Sequence, residues 1–479
     1  MAKPKLEIIV LFQNLGEQHR YYMRSPAPPL SGVLLAGLTP DIVDVSLRHE
    51  MIRPVDYDTD ADFIALSFMD YCSPHAIEVA RRFRALGKKV VAGGRYASTF
   101  PDRLAGHFDS VIEGEAERVW PQVVRDLVAN RLRQRYRAPF APDLDDIPPP
   151  RYDLVEPQYA IPLVTEATRG CPFRCSYCQL NIAPKPFRRR PIPDVIRDLT
   201  ATEGLPYHKR RLAMVYDNNV GGDLKHAKAL LREIAKLEMW AVGLQFTMNC
   251  LEDEEFVDLM VEARVAMAFL GMESLAEASL LGVNKGHNVV HRYEEQFRRL
   301  RERGILIFAG FMVGLPEDTP DYYRTVNAAL DRVDPSAILS SIAIPIPGTP
   351  LHAEVAGSGR IVDHDLSHYE GDHLVFRPET VTPDEVLEAY ERIPAAFYAW
   401  PRVARRWFRL MRDFWTSPHG RRRLVRSPLL TMILLQLTWF QRYHLEHKVR
   451  PVLAGERAKW ASLAVEEVTL VRQAVAGCN

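Results

Sequence analysis

Three cysteines within one short segment constrain the fold of this chain more than any other feature. They are Cys171, Cys175 and Cys178, and their C-x-x-x-C-x-x-C pattern uses half of the six cysteines in the sequence. Three thiolates at this spacing can bind three irons of a 4Fe-4S cluster, and no fourth cysteine is near in the sequence. The pattern therefore predicts a cluster whose fourth iron has no protein ligand and is open to a second molecule.

A structural zinc site is the alternative for these cysteines. Such sites usually take four ligands from two C-x-x-C-like halves, whereas this segment offers three. The apolar residues 161–165, directly before the cysteines, predict a strand. The cysteine loop would then lie at the carboxyl end of a strand, where α/β barrels carry their active sites. We therefore favour an iron–sulfur loop over a zinc site.

The cysteine pattern, with the aromatic Tyr177 directly before the last cysteine, resembles the motif of the radical S-adenosylmethionine (radical SAM) superfamily. The resemblance implies that S-adenosylmethionine chelates the open iron through its amino and carboxylate groups. It also implies that one electron from the cluster splits this cofactor into methionine and a 5'-deoxyadenosyl radical. Tyr177 is then a candidate cofactor-binding residue, and an electron donor such as flavodoxin or ferredoxin is implied as a partner.

The composition is that of a globular protein with no overall charge bias. The 479 residues include 61 basic and 61 acidic ones, and 47% are hydrophobic, which fits about three domains and argues against a nucleic-acid partner. The apolar segment at the amino terminus is too short for a signal peptide, and cysteines without regular pairing suit a reducing compartment. We expect a cytoplasmic protein that binds no nucleic acid.

Residues 1–135 alternate short apolar runs with helical patterns, which predicts a doubly wound parallel sheet. The expected strands cover residues 6–12, 63–68, 89–92 and 110–112. Such sheets bind ligands beyond the carboxyl ends of their strands, where small residues let a bulky cofactor approach the backbone. The candidate cofactor-binding residues at these ends are Ser67, Gly93, Gly94, Gly114 and Glu115.

This amino-terminal region resembles the cobalamin-binding domain that precedes the barrel in one branch of radical SAM enzymes. The resemblance is carried by P-P-L at residues 28–30, V-A-G-G at 91–94 and I-E-G-E-A-E at 112–117. It implies a Rossmann-like domain over residues 1–135 that binds cobalamin. The D-x-H-x-x-G motif is absent, since residues 14–19 are N-L-G-E-Q-H, so we expect no histidine of this protein on the cobalt. The alternative is a degenerate Rossmann domain without a ligand.

A second α/β region follows a connector. Residues 136–160 are rich in proline and aspartate, which predicts a semi-rigid linker. Six strand candidates come next, at residues 161–165, 212–216, 243–247, 266–271, 305–313 and 337–344, each separated by a helical pattern. They predict a partial (β/α)6 barrel of the radical SAM type over residues 161–375. Residues 376–479 are expected to form a mainly helical region.

Polar residues follow the predicted barrel strands. Asp217 and Asn218 follow the second strand, and Glu273 and Ser274 follow the fourth. By the resemblance, the first pair lies beside the methionine part of S-adenosylmethionine and the second pair near its ribose, whose hydroxyls a carboxylate accepts well. An ordinary strand-end cap is the alternative for each. Cys250, beyond the third strand, is a candidate redox or hydrogen-donating thiol, with a buried structural cysteine as the alternative.

The composition changes after Trp400. Arginines recur at helical spacing among tryptophans and phenylalanines, and the apolar run 429–440 follows. That run is too short to span a bilayer. A basic, aromatic helix can lie on the anionic inner face of a membrane, or it can pack on the barrel with its arginines solvated. Peripheral membrane contact and a purely structural role therefore both remain open.

Together these features predict a cobalamin-dependent radical SAM enzyme. The branch that the chain resembles most commonly methylates an unactivated carbon, here of a small-molecule or lipid substrate. Radical cyclisation, rearrangement or oxidation without methyl transfer is the first alternative. A cobalamin or iron–sulfur sensor without turnover is the second, although a sensor has no need of an open iron. A transfer-RNA methylthiotransferase is disfavoured because the chain lacks an amino-terminal cysteine triad and a basic carboxyl-terminal β-barrel.

Overall fold

A computed structural model describes residues 2–12, 27–182, 186–416 and 426–476. The chain divides into two compact units. The first comprises Met1–Phe173 and Ile182–Phe269, and the second comprises Arg174–Asn181 and Leu270–Asn479. Across the described ranges, no helix combines the length and the apolar character needed to cross a membrane.

The first unit begins with a six-stranded parallel sheet. Its strands are β1 (Lys5–Val10), β2 (Asp44–His49), β3 (Phe63–Phe68), β4 (Lys89–Gly94), β5 (Ser110–Glu113) and β6 (Arg135–Arg137). Its helices are α1 (Leu30–Gly37), α2 (Ser73–Ala85), α3 (Arg95–Thr99) and α4 (Trp120–Val128). The strand order is β2-β1-β3-β4-β5-β6. The order reverses at β1, which is the kind of switch point where open α/β sheets bind ligands.

The predicted doubly wound sheet is therefore confirmed, with two differences in detail. The polar edge strands β2 and β6 were not expected from the sequence. Part of the expected linker is also packed: Leu144 and Ile147 are each 2% exposed and contact Leu34 of α1. The connector is thus held against the amino-terminal sheet domain along part of its length.

The rest of the first unit contains the first strands of the predicted barrel. They are β7 (Leu163–Thr165), β10 (Leu212–Val215) and β11 (Ala241–Phe246), with the short antiparallel pair β8 (Thr168–Arg169) and β9 (Arg188–Arg189) after β7. The helices are α5 (Ile192–Thr200), α6 (Leu224–Ala235) and α7 (Glu254–Glu262). Strand β10 pairs in parallel with both β7 and β11. Strand β12 (Val265–Glu273) begins in this unit and ends in the second.

The second unit contains the last barrel strands and the helical carboxyl-terminal region. Strands β13 (Leu306–Val313) and β14 (Ala337–Ile342) pair in parallel. The helices beside them are α8 (Glu277–Gly282), α9 (Tyr293–Glu302), α10 (Pro320–Val333) and α11 (Pro350–Gly357). The later helices are α12 (Pro383–Phe397), α13 (Trp400–Thr416), α14 (Arg426–His444) and α15 (Arg450–Ala476). All six expected barrel strands and the helical carboxyl-terminal region are thus present.

Local sequence explains where these helices begin. Helix α12 starts with a capping box in which Thr382 and Glu385 each accept a hydrogen bond from the other's backbone N–H. Pro383 stands at the first helical position, where its missing N–H costs nothing. Asp223 caps α6 in the simpler way, by accepting a hydrogen bond from the backbone of His226. Such caps fix the length of the loop that precedes each helix.

Two arginines of α13 have acidic partners that are distant in the linear sequence, and a third is buried. Arg402 pairs with Asp331 at 3.3 Å and Arg409 with Asp334 at 3.0 Å, both on the far end of α10 or just after it. Arg406 is buried and donates to the carbonyl oxygen of Phe397 at 2.7 Å. Burial lowers the pKa of Arg406 to about 10. These three arginines are therefore packing elements, and the run 421–423 lies outside the described residues.

Candidate active site

The carboxyl edge of the amino-terminal sheet presents the small residues that the sequence predicted. Ser67 of β3 is aligned with Val10 on one side and with Gly93 on the other. A Cβ atom on Gly93 would lie 3.9 Å from the Leu66 carbonyl oxygen, an ordinary contact, so this position has room for a small side chain. Gly94 has φ +95°, and a Cβ there would come within 2.6 Å of the Phe68 carbonyl oxygen, which requires glycine. The edge therefore carries small residues at the positions that the sequence predicted.

An unexpected carboxylate lies at the same edge. Asp70, two residues after β3, is 3% exposed. Among the residues that the structure describes, none donates a hydrogen bond to either of its carboxylate oxygens, and Arg95 forms an ion pair with it at 3.6 Å. Burial raises the pKa of Asp70, and the charge of Arg95 opposes that shift. A buried carboxylate whose described partner is an ion pair rather than a hydrogen bond suits a polar ligand group at this edge, and cobalamin carries many amide donors.

Glu115 was predicted to bind a cofactor, but two arginines of the protein already bind its carboxylate. Arg188 donates to its two oxygens at 2.8 and 2.6 Å, and Arg169 donates to it at 2.7 Å. Arg169 also donates to Glu117 at 2.8 Å. The structure therefore joins the loop after β5, which includes Gly114, to the residue that precedes Gly170 and Cys171. Arg169 and Arg188 were not singled out from the sequence, because their partners lie 54 and 73 positions away.

The beginning of the cysteine loop rests on the residues that follow β10. Asp217 is 2% exposed and accepts hydrogen bonds from the Ala167 N–H and the Thr168 hydroxyl, each at 2.7 Å. Burial raises the pKa of Asp217 to about 7. Asn218 is exposed and accepts from the Gly170 N–H at 3.4 Å. Asp217 thus holds the beginning of the loop from a buried position, while the Asn218 side chain is exposed to solvent.

Asn219 connects Cys171 with the third barrel strand. Its Nδ2 donates to the Cys171 Sγ at 3.7 Å, and its Oδ1 accepts from the Thr247 backbone and hydroxyl at 3.2 and 3.3 Å. Cys250 is fully buried and its Sγ lies 3.7 Å from the Gly221 carbonyl oxygen. Burial raises the pKa of Cys250 to about 11. Such a thiol stays protonated at neutral pH, which favours a packing role or hydrogen donation over nucleophilic attack.

The end of the cysteine loop lies in the second unit, where Tyr177 contacts Glu273 and Lys285. The Tyr177 hydroxyl donates to Glu273 Oε1 at 3.1 Å, and the Lys285 Nζ donates to the Tyr177 oxygen at 3.2 Å. Lys285 also lies 3.3 Å from Glu273 Oε1. Burial, reinforced by the charges of Glu273, Cys175 and Cys178, holds the pKa of Tyr177 well above its usual value. Tyr177 is therefore a neutral donor.

The glycines of β12 and β13 accommodate the Glu273 side chain itself. A Cβ on Gly271 would lie 2.5 Å from Glu273 Oε1, and one on Gly310 would lie 3.1 Å from Oε2. Glu273 has φ +62°, an uncommon backbone conformation for a residue with a side chain. Ser274 is fully buried and donates to the Tyr322 oxygen at 3.0 Å. Ser274 thus hydrogen-bonds to Tyr322, and the Glu273 carboxylate lies next to the backbones of Gly271 and Gly310.

The donor set of the cysteine loop suits a 4Fe-4S cluster better than zinc. None of the described cysteines is in a disulfide. Within the described ranges, no three His, Cys, Asp or Glu side chains converge on one point as a single metal ion requires. Three thiolates leave a tetrahedral zinc site one ligand short, whereas in a 4Fe-4S cluster each thiolate binds a different iron at a separate corner.

Three comparisons with known proteins agree with this geometry. Residues 165–329 match the model of the radical SAM superfamily. The chain is 27% identical over 447 residues to bacteriochlorophyllide d C-8(2)-methyltransferase of Chlorobaculum tepidum, covering 88% of this chain and 94% of that protein. It is 24% identical to hopanoid C-2 methylase of Rhodopseudomonas palustris, covering 80% and 77% of the two chains.

A solved structure shares the fold over nearly the whole chain. It is that of TsrM from Kitasatospora setae, a radical S-adenosylmethionine methyltransferase with cobalamin and a [4Fe-4S] cluster bound. The TM-score is 0.57 at 17% sequence identity, and the match covers 95% of this chain and all of the other. This likeness extends over the amino-terminal sheet as well as the barrel strands. Residues 165–329 therefore carry a radical SAM domain, and the fold of the chain resembles that of a radical S-adenosylmethionine methyltransferase.

Proposed function

We propose that this protein is a cobalamin-dependent radical SAM enzyme that methylates an unactivated carbon of a small-molecule or lipid substrate. The observation that carries the proposal is the three-cysteine loop at the carboxyl end of β7, held by Asp217 and Asn219. The named methyltransferase relatives point to the same reaction class. When bound, the cluster, S-adenosylmethionine and cobalamin supply one-electron reduction, hydrogen-atom abstraction and methyl transfer.

The roles of this chain's own residues follow from their contacts. Cys171, Cys175 and Cys178 are the cluster ligands in this proposal, and Asn219 orients the Cys171 sulfur by donating to it. Asn218 is the exposed polar group next to the loop and is available to the methionine part of S-adenosylmethionine. Glu273 is the acceptor proposed for the ribose hydroxyls.

The amino-terminal sheet is the proposed cobalamin site. The room for a small side chain at Gly93 and the buried carboxylate of Asp70, which accepts no hydrogen bond from the described residues, support this assignment. Ser67, Gly94 and Gly114 line the same sheet edge. No step depends on a histidine from this protein below the cobalt. A flavodoxin or ferredoxin is the proposed electron donor.

The test is anaerobic reconstitution of the full chain, followed by assays for cluster content, bound cobalamin and 5'-deoxyadenosine. Replacement of Cys171, Cys175 and Cys178 by alanine should abolish the cluster, because each thiolate is a direct ligand. Incubation with a chlorophyllide-type or hopanoid-type acceptor should then give a product heavier by one methyl group. A full cluster in the triple variant, or zinc in its place, would refute the proposal. Deoxyadenosine without a methylated product would favour cyclisation, rearrangement or oxidation.

We further propose that helices α13 and α14 contact an anionic membrane surface. Arg405, Phe408, Arg412 and Trp415 are all exposed and recur at spacings of three and four, so they share one outward face. On α14, Trp439 is 60% exposed. Large exposed apolar groups mark interaction sites, and tryptophan with arginine suits the boundary of an anionic bilayer. Such contact would bring a lipid substrate near the enzyme.

A matched pair of variants tests membrane contact. Phe408→Ser with Trp439→Ser removes two exposed aromatics from α13 and α14, and Phe140→Ser with Trp240→Ser removes two exposed aromatics elsewhere. Burying a large apolar side chain contributes about 1.5 to 3 kcal/mol, so the first pair should weaken liposome binding at least about tenfold. Binding should also fall with salt. If the native chain stays in the supernatant with anionic liposomes at low salt, the proposal fails.

A further inference from the structure

The segment Val283–Lys285, which follows α8, lies along the cysteine loop. The Ser176 N–H donates to the Val283 carbonyl oxygen at 2.9 Å. The Asn284 Nδ2 donates to the Arg174 carbonyl oxygen at 2.8 Å, and the Lys285 Nζ donates to the Tyr177 hydroxyl at 3.2 Å. Three consecutive residues thus bond to a stretch of four in the loop. The segment holds the part of the loop that carries Cys175 and Cys178.

Lys285 is the charged member of this segment, and it is buried. Its side chain is 6% exposed, and Glu273 is the carboxylate partner, at 3.3 Å. The ammonium group also lies 5.9 Å from the centre of the Tyr177 ring. Burial disfavours the charge of Lys285, but the charges of Glu273, Cys175 and Cys178 outweigh it and raise its pKa. Lys285 therefore remains a cation next to the loop.

We infer that Lys285 is a positioning residue that braces Tyr177 and, as a fixed cation opposed by Glu273, sets the reduction potential of the cluster. This inference rests on the proposed function, because it requires a cluster on Cys175 and Cys178. Reduction adds a negative charge to the cluster, and a buried cation nearby stabilises that charge because the low dielectric screens it little. Cluster potentials depend on such local charges and on exposure to solvent.

If Lys285 acts through its charge rather than through packing, two substitutions should shift the midpoint potential of the cluster in opposite directions. Lys285→Met removes the cation and should move the midpoint potential to more negative values. Glu273→Gln removes the opposing carboxylate and should move it to more positive values. Lys285→Arg keeps the charge and should stay near the native potential. Asn284→Ala loosens the segment without a change of charge and should leave the potential nearly unchanged.

The measurement is a redox titration of the reconstituted full chain followed by electron paramagnetic resonance, with iron and sulfide content determined for each variant. Lys236→Met, at a largely exposed lysine paired with Glu233, is the matched control and should not shift the potential. S-adenosylmethionine affinity is measured separately, so that a binding defect is not mistaken for a change in potential.

Each outcome decides between named alternatives. Absence of a cluster in the native chain would refute the proposed function itself. A native cluster with an unchanged potential in both Lys285→Met and Glu273→Gln would refute the inference alone. If the midpoint potential shifts in the same direction in both variants, Lys285 and Glu273 act through loop packing, and this result would also contradict the inference. If Lys285→Met loses its cluster, Glu273→Gln and Lys285→Arg still give the sign and the charge dependence.

Discussion

At the scale of single residues, Asp217 is a buried carboxylate that accepts hydrogen bonds from the Ala167 N–H and the Thr168 hydroxyl. Its pKa is 3.8 in the unfolded reference and about 7 in the folded protein, because burial disfavours the charged form. Between these two pH values the folded protein holds a proton that the unfolded chain releases. The contribution of Asp217 to stability is therefore fully present below about pH 4 and decreases as the pH rises to about 7.

Asp217→Asn should remove this pH dependence. Asparagine can still accept from the Ala167 N–H and can donate to the Thr168 oxygen, but it does not titrate. We expect the free energy of unfolding of the native apo-protein to fall more steeply between about pH 5 and about pH 7 than that of the variant. Urea unfolding at a series of pH values measures both slopes, and equal slopes would show that Asp217 is charged throughout.

Cys250 gives a second prediction at this scale. With a pKa of about 11 and no exposure, it should resist alkylation in the folded protein at about pH 8. Mass spectrometry after iodoacetamide treatment should find Cys250 unmodified, whereas the same chain in urea should be modified there. Rapid modification in the folded state would instead identify Cys250 as a reactive thiol and revive a role in redox chemistry.

At the scale of elements, the loop after β5 is tied to β8 and β9 by the Glu115, Arg169 and Arg188 network. Arg188 is 11% exposed and Glu115 15% exposed. Removing Arg188 leaves Glu115 with Arg169 as its partner, so the cost lies between that of an exposed ion pair, about 1 kcal/mol, and that of a buried charge left unpaired, about 3 kcal/mol or more. We therefore expect Arg188→Met to lower the free energy of unfolding by about 2 kcal/mol. Arg188→Lys should recover only part of this, since lysine cannot form the two-point contact.

Denaturant unfolding at neutral pH measures this effect. The matched control is Arg81→Met on α2, where the partner Glu78 and the arginine are both largely exposed. Exposed pairs contribute about 1 kcal/mol or less. Equal losses in Arg188→Met and Arg81→Met would mean that the Glu115 network adds no stability beyond that of a surface pair.

The elements that sequence reasoning missed share a physical cause. Strands β2 and β6 stand at the two edges of the amino-terminal sheet, and their sequences D-V-S-L-R-H and R-Y-R alternate polar and apolar residues or are too short for a clear pattern. Edge strands tolerate charge because one side faces solvent. Inner strands such as β3 are buried on both faces and read as continuous apolar runs, so Phe63–Phe68 was predicted with its exact bounds.

The residues of the candidate site also fall into those that local sequence patterns predicted and those that they did not. The cluster cysteines and Asp217 follow strands, Glu273 is the last residue of one, and all were visible as local patterns. Lys285 was not visible, because its partner Tyr177 is 108 positions away and one sequence carries no record of that contact. Charge pairing on α13 was hidden for the same reason, since Asp331 and Asp334 approach its arginines only in the folded chain.

At the scale of the whole molecule, the carboxyl edge of the amino-terminal sheet is the proposed cobalamin site. Gly93 allows a direct test, because it lies in β4 at this edge with room for a small side chain. Gly93→Val should fold normally, since valine suits a strand and its Cβ would meet only the Leu66 carbonyl oxygen, at 3.9 Å. The added side chain should instead fill the space that the cofactor needs. We expect cobalamin to bind the native full chain and to bind the variant at least about tenfold more weakly.

Two readouts on the full chain complete this test. Cobalamin at a hundredfold excess over its dissociation constant should stabilise the native chain by about 2.7 kcal/mol, and this gain should be lost in Gly93→Val while the stability of the two apo-proteins stays similar. Electron paramagnetic resonance of the cob(II)alamin form should show no nitrogen splitting from a histidine, because residues 14–19 lack the D-x-H-x-x-G motif. Nitrogen splitting from a lower imidazole would contradict the expected coordination. No binding by the native chain would instead identify the amino-terminal sheet as a degenerate domain that supports the barrel only structurally.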